Sequence, residues 1–236
     1  MRSKAASGCG IVVLHTLRVR RIRVRFPASR QSFGAHIIDM EFYKRITNFL
    51  FEVGTMRKLP RIHRQVLLTD DTSDTISSHS YRVALIGWFL AKKEGADPYK
   101  VVMMCLLHDL TEARTADHNW IHKRYVKIFE DEVHKEQLGT LPYPDMEEFV
   151  TEYDLRESKE AIIAKQADIV DQILLLREYD WQGNKEASIW LYGKGGTDPR
   201  IQIKKLTLES ARELAEAIYT TAPSDWWDNL STGNNR

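Results

Sequence analysis

The sequence predicts an all-α fold, a single helical bundle. Three observations predict it. Apolar residues recur at three- and four-residue steps through most of the chain after Met40. No stretch alternates apolar with polar in the two-residue rhythm of a strand. Helix punctuation stands where the periodic runs begin and end: Asp97-Pro98 opens one and Gly95 closes another. With 236 residues, 43% of them apolar, the chain is long enough for one domain with a sizeable core.

The elements follow in chain order. Residues 1–39 are rich in Lys and Arg, densest at Arg18-Val-Arg-Arg-Ile-Arg-Val-Arg25, and Asp39 is their one acid. A basic arm for nucleic acid and a targeting segment both have this composition. We read it instead as a basic N-terminal extension, disordered or a mis-assigned start, because the coherent amphipathic pattern begins only at Met40. The peptide Arg23-Val-Arg-Phe-Pro27 also back-translates to CGG GTT CGA TTC CCG, which resembles the T-arm of a transfer-RNA gene. The genomic DNA upstream of Met40 decides that point.

Residues 40–236 are the domain proper. Phe42, Ile46, Phe49, Leu50, Val53 and Met56 form one apolar stripe that Pro60 ends. Residues 61–77 are polar and read as a loop. A second helix runs from about Ser78 to Glu94, with His79, Val83, Ile86 and Leu90 on one face. A third runs from Pro98 to about Ala113. Residues 122–138 read as a charged amphipathic helix, and Gly139-Thr-Leu-Pro-Tyr-Pro144 as a break. The helix from about Arg156 to Trp181 carries Ile162, Ile163, Ile169, Val170, Ile173 and Leu174. It is apolar most of the way round, which makes it central. A Gly193–Pro199 loop, a helix from about Thr207 to Thr220, and a tail with Trp226-Trp227 complete the chain.

Several partner classes lose support at this level. A net charge of +1 creates no demand for nucleic acid or a membrane. Cys9 and Cys105 are too few for a disulfide framework and fit a reducing cytoplasm. No apolar run approaches the roughly 18 residues that span a bilayer.

The third helix holds Leu106-Leu-His108-Asp109-Leu-Thr-Glu112. Val101, Cys105, His108 and Glu112 share a face, with Asp109 about 100° round from His108. A carboxylate deep in an apolar helix needs a partner. A nearby Arg or Lys is one solution and a metal ion is the other. Two residues favour the metal: His79, which opens the preceding helix, and Asp168, set among Ala164, Ala167 and Ile169. Imidazole with carboxylate suits Zn, Mn, Co, Ni or Fe better than Ca.

These spacings resemble the HD-domain phosphohydrolase superfamily, whose pattern is H…HD…D. His79 matches the first His, His108-Asp109 the pair, and Asp168 the distant Asp. Ser77-Ser-His-Ser-Tyr-Arg82, Leu107-His-Asp-Leu-Thr-Glu-Ala-Arg-Thr-Ala-Asp117 and Ala164-Lys-Gln-Ala-Asp168 look like its 5′-deoxynucleotidase branch, over roughly residues 43–182. The resemblance implies a helical bundle with the metal site between its central helices. It implies one divalent ion (Mn, Co, Zn, Ni, Fe or Mg) on those four ligands, a nucleotide substrate, removal of a 5′-phosphate, and a homodimer.

Glu112, one turn from His108 and Asp109, can orient the attacking water or pass a proton to the leaving ribose oxygen. Asp117 matches the Asp of the family's E…GD segment, where it would help Glu112 or bind the sugar; a helix cap is the plain alternative. Lys58 and Arg61 flank Leu59-Pro60 in a segment that resembles the family's phosphate- and base-contacting motif. Lys58 replaces the usual arginine and lacks its bidentate geometry. Ala116 replaces the usual glycine, which is tolerable unless the backbone there needs a positive φ. His118 reads as a surface histidine, and Lys123 as the mouth of the site or a charged face. The same ligands also serve triphosphohydrolases, phosphodiesterases and, with a second iron, oxygenases, for which His118, His122 and His134 are the spare histidines. A nucleotide-sensing or nucleic-acid-binding module with residues 1–39 as its arm is the non-enzymatic reading; it leaves Glu112 without a purpose.

Overall fold

The computed structural model describes residues 32–228 and Leu230, with side chains from Met40 onward. Residues 1–31, most of the segment read as an extension, lie outside the described residues. The expected all-α class is observed. Among the described residues there is no strand, only an isolated bridge between Pro60 and Thr75. The helices are α1 (Ser32–Val53), α2 (His63–Val66), α3 (Ile76–Glu94), α4 (Pro98–Leu107), α5 (Glu112–Thr115), α6 (Trp120–Tyr125), α7 (Glu130–Leu138), α8 (Asp145–Leu155), α9 (Lys159–Trp181), α10 (Lys185–Tyr192), α11 (Glu209–Thr220) and α12 (Asp225–Asp228).

The centre is α9, capped by Ser158, whose Oγ accepts the Ala161 N–H at 3.1 Å. It packs against α3, α4, α8, α10 and α11. It therefore buries residues on all sides, among them Ile163, Ala167, Val170, Ile173 and Leu176. Helices α3 and α4 close on each other at Gly87. A Cβ there would meet Cys105 Sγ at 2.7 Å and Val101 Cγ1 at 2.9 Å, so a side chain would overpack this contact at a cost of about 1–3 kcal/mol. The close approach brings the first turn of α3 beside the end of α4. A second apolar cluster, with Met56, Ile76, Leu107, Leu110, Leu138 and Val150, lies on the far side of that end. The chain at 108–109 is thus clamped between two cores.

Four sequence expectations need correction. The segment 61–77 is not all loop: it contains α2 and the fully buried Leu67, and hydrogen bonds pin its neck (Arg61 N–H to Asp74 O, 2.8 Å; Ile76 N–H to Leu59 O, 3.0 Å). The third helix stops at Leu107 rather than near Ala113. Beyond it the backbone tightens into three-residue turns, with Leu110 N–H on Leu107 O and Glu112 N–H on Asp109 O, both 3.0 Å. The Cys105 carbonyl there takes the ring N–H of His108 at 2.8 Å, which competes with a continued helical ladder. The segment 122–138 is two helices, because Val126 is extended at φ −118°. Helices α8 and α10 were not anticipated. They are short and highly charged or capped only by Asn184, and tertiary burial of Val150, Tyr153, Ala187 and Leu191 holds them.

Candidate metal centre

His79 is delivered by a well-made helix start. Thr75 Oγ1 accepts the Ser78 N–H at 3.2 Å and Ser78 Oγ accepts the Thr75 N–H at 2.8 Å, a reciprocal capping box. His79 then sits on the first turn of α3, with its ring buried. His108 and Asp109 come from the tight turns after α4, and Asp168 from the middle of α9. The structure brings all four together. His79 Nε2 is 3.2 Å from His108 Nε2, 3.5 Å from Asp109 Oδ2 and 3.4 Å from Asp168 Oδ1. His108 Nε2 is 3.1 Å from Asp109 Oδ2 and 4.0 Å from Asp168 Oδ1. Ligand atoms of His79, His108 and Asp109 all lie within 4.8 Å of one another.

The donor set fits a divalent ion. His108 Nδ1–H is committed to a backbone carbonyl, so its Nε2 presents a lone pair inward. His79 Nδ1 lies 2.7 Å from Asp171 Oδ2, which likewise turns Nε2 inward. Burial and Arg61 oppose a charge on His79, but Asp168 and Asp171 push its pKa up to about 9. The positive charge that these carboxylates favour on the His79 ring is one that a bound cation would supply once the ligands deprotonate. Asp109 and Asp168 stay ionised: burial opposes their charge, but for Asp109 His108 and Arg61, and for Asp168 His79 and Lys165, more than offset it.

Around this centre is a cleft of about 330 Å³. Arg61 lines it and pairs with Asp109 Oδ2 at 2.7 Å and Asp117 Oδ2 at 3.2 Å. Asp117 is buried and also accepts the Ile62 N–H at 2.8 Å, so it anchors the Arg61 segment. Glu112 lines the same cleft; burial first, then Asp109 and Asp117, push its carboxyl up to about 9. Its Oε2 is buried with no hydrogen-bond partner among the described residues. Lys58 is exposed and is not part of the lining, so the two residues expected to bind substrate are separated. His118 and Lys123 line the cleft, and His118 stacks on His122 at 5.5 Å between ring centroids. Ala116 does adopt the demanding backbone, at φ 61°.

Sequence reasoning missed Asp171, Arg82, His63 and Tyr153. Asp171 was findable, since it follows Asp168 by three residues on one helix and is a second buried carboxylate there. Arg82 grips Asp171 and also pairs with Glu178 at 2.6 Å. His63 lines the cleft, and burial first, then Arg61, lowers its pKa to about 4. Tyr153 packs on His108 with centroids 5.5 Å apart, on a helix that gave no sequence signal.

The HD domain family model matches residues 56–205. The 5′-deoxynucleotidase HDDC2 of Bos taurus is 28% identical over 156 residues, covering 60% of this chain and 71% of its own length. The protein of the same name from Mus musculus is 27% identical over 191 residues, covering 75% and 94%. Among solved structures, a conserved hypothetical protein from Pyrococcus furiosus superposes with a TM-score of 0.59 at 26% identity, covering 74% of this chain and 99% of its own. A predicted metal-dependent phosphohydrolase from Magnetospirillum magnetotacticum has a TM-score of 0.55 at 24% identity, covering 76% and 91%, and speaks for the fold alone.

Proposed function

The chain belongs to the HD domain family, and from that premise we propose that it is a metal-dependent phosphohydrolase that removes the 5′-phosphate of (deoxy)ribonucleoside monophosphates. The relatives named 5′-deoxynucleotidase support that substrate class. The observation that carries the reading is the convergence of two imidazole nitrogens and two carboxylates beside Glu112, an acid with one buried and unengaged oxygen.

In this reading His79, His108, Asp109 and Asp168 hold one divalent ion. Such an ion would supply Lewis acidity to a bound water and positive charge beside the phosphoryl oxygens. Burial first, then Asp109 and Asp117, favour the protonated form of Glu112, the form from which it would deliver a proton to the leaving ribose oxygen. Arg61 adds positive charge at the phosphate. Asp117 is a positioning residue, since both of its contacts fix the Arg61–Ile62 backbone and side chain. Lys58 lies outside the lining, and it has no assigned part in holding the phosphate.

A homodimer and a cytoplasmic location complete the proposal. Tyr81, Leu85, Trp88 and Phe89 form an exposed apolar stripe on α3, the kind of face a second copy covers. Cys105 is buried and unpaired, in keeping with a reducing compartment. No described helix is long and apolar enough to cross a membrane.

The test is a screen of nucleoside 5′-monophosphates, with and without the 2′-hydroxyl, against Mn, Co, Zn, Ni, Fe and Mg, with triphosphates and cyclic nucleotides alongside. Phosphate release from the monophosphates that is lost in His108→Ala is the expected outcome. Turnover confined to triphosphates or cyclic nucleotides, or full activity in His108→Ala, overturns the reading.

A further inference from the structure

Arg156 stands at a backbone position that does not favour arginine. It ends α8 in the left-handed region, φ 58° and ψ 25°, where glycine or asparagine sits without strain. Its guanidinium carbon lies 3.5 Å from the centroid of the Tyr153 ring, and that ring packs against His108. Its Nη1 is buried, with no hydrogen-bond partner among the described residues. The neighbouring acid Asp154 pairs with His134 instead, at 3.8 Å. Arg156 nevertheless lines the cleft that holds Asp109 and Asp168.

The other cations of that cleft are ion-paired or exposed. Arg61 is held by Asp109 and Asp117, and Lys165 Nζ is bound to Asp168 Oδ2 at 2.7 Å. Lys123 is exposed at the rim. Arg156 thus combines a fixed position with a buried, unengaged donor, its Nη1. A guanidinium stacked on a ring has lost most of its freedom already, so it loses little more on binding, and its planar fork matches a phosphate edge.

We propose that Arg156 is a phosphate-binding residue of this site, held ready on Tyr153 to take the anionic end of the substrate. The proposal rests on the phosphohydrolase reading, and it assigns to Arg156 the phosphate grip that Lys58 lacks. The strained backbone is consistent with this, because unfavourable conformations persist where a side chain is needed in one place.

The experiment compares wild type with Arg156→Gly and Arg156→Lys. Glycine relieves the positive φ, and lysine keeps the charge without the fork. Binding of inorganic phosphate to the manganese-loaded protein is followed by calorimetry, with KM and kcat for a nucleoside monophosphate, manganese affinity and Tm in parallel. In Arg156→Gly, phosphate affinity weakens and KM rises about tenfold or more, while kcat changes less. Tm and manganese affinity hold or improve, and lysine restores only part of the loss. Phosphate affinity within twofold of wild type overturns the proposal. So does a loss of phosphate binding that comes with lower Tm and weaker manganese binding, since that marks a structural prop. Should wild type turn over no monophosphate, the functional reading fails separately, and calorimetry still decides Arg156: phosphate binding lost in Arg156→Gly supports it, and a wild type that binds no phosphate overturns it.

Discussion

His79 Nδ1 lies 2.7 Å from Oδ2 of Asp171, one helical turn beyond Asp168 on α9. One helix therefore supplies both a carboxylate of the metal centre and the group that orients a histidine of that centre. Asp171 is itself fixed, since its other oxygen is gripped by Arg82. Burial opposes its charge, but His79 and Arg82 more than offset this and hold its pKa below the usual carboxylate range. Asp171→Asn keeps the shape and removes the charge. It is expected to weaken metal affinity about 10–100-fold, with activity partly recovered at saturating metal. Asp171→Ala strands the buried His79 ring and leaves the half-buried Arg82 with Glu178 alone, and it is expected to cost about 3 kcal/mol of stability. Metal titration by calorimetry checks the first, and unaltered affinity in Asp171→Asn would sink it.

Glu112 is the group that separates a reaction centre from a binding site. Glu112→Gln preserves size and cannot donate the carboxylic proton. The expected result is a fall in kcat of about 10²–10⁴-fold with one metal per chain retained. His108→Ala should lose both metal and turnover. Parallel metal counting and phosphate release distinguish the two, and a Gln variant within a few-fold of wild type would remove Glu112 from the chemistry.

Much of this site was legible in the chain because its key residues break a local rule. His108, Asp109 and Asp168 are ionisable groups inside apolar helical stretches, and such conflicts stand out against periodic background. The central place of α9 was legible from its apolar residues, which wrap most of the way round it. The boundaries were less so. The end of α4 depends on a ring-to-carbonyl hydrogen bond at Cys105, which no helix propensity encodes. Helix α8 is held by burial of Val150 and Tyr153 against α4 and α9, a tertiary effect invisible in its charged sequence. Arg61 was legible as a cation near the site, but its ties to Asp109 and Asp117 join residues 48 and 56 positions apart.

Ala116 carries a cost that its sequence position only hinted at. Its φ of 61° and ψ of 168° belong to a region that is nearly glycine's own. The conformation turns the chain between Glu112, whose carbonyl accepts the Ala116 N–H at 2.9 Å, and the anchoring Asp117. Ala116→Gly should relieve the strain, less the added entropy of the unfolded chain, for a net gain of about 1 kcal/mol. Denaturant unfolding measures it. Activity should stay within about twofold, because Ala116 does not line the cleft. A destabilised glycine variant would mean that this backbone is not strained.

Helix α1 is tied to the site's support by charge, and that tie should titrate. Glu52 Oε1 receives Arg114 Nε at 2.5 Å and Gln137 Nε2 at 2.8 Å, and Arg114 also meets Glu136. Arg114 first, helped by Gln137, holds Glu52 below its ordinary 4.5 against the opposing effect of burial. A carboxyl with a depressed folded pKa contributes stability that is complete above its unfolded pKa and disappears as pH falls through the folded one. Wild type should therefore lose stability between about pH 5 and pH 3 by a route that Glu52→Gln lacks. The pair is partly exposed, so its contribution at pH 7 is about 1 kcal/mol at most. Thermal melts of both proteins across that range give the test. The Tm gap seen at pH 7 should narrow steadily as the pH falls below Glu52's ordinary 4.5; a gap that does not change with pH would assign the tie to packing instead of charge.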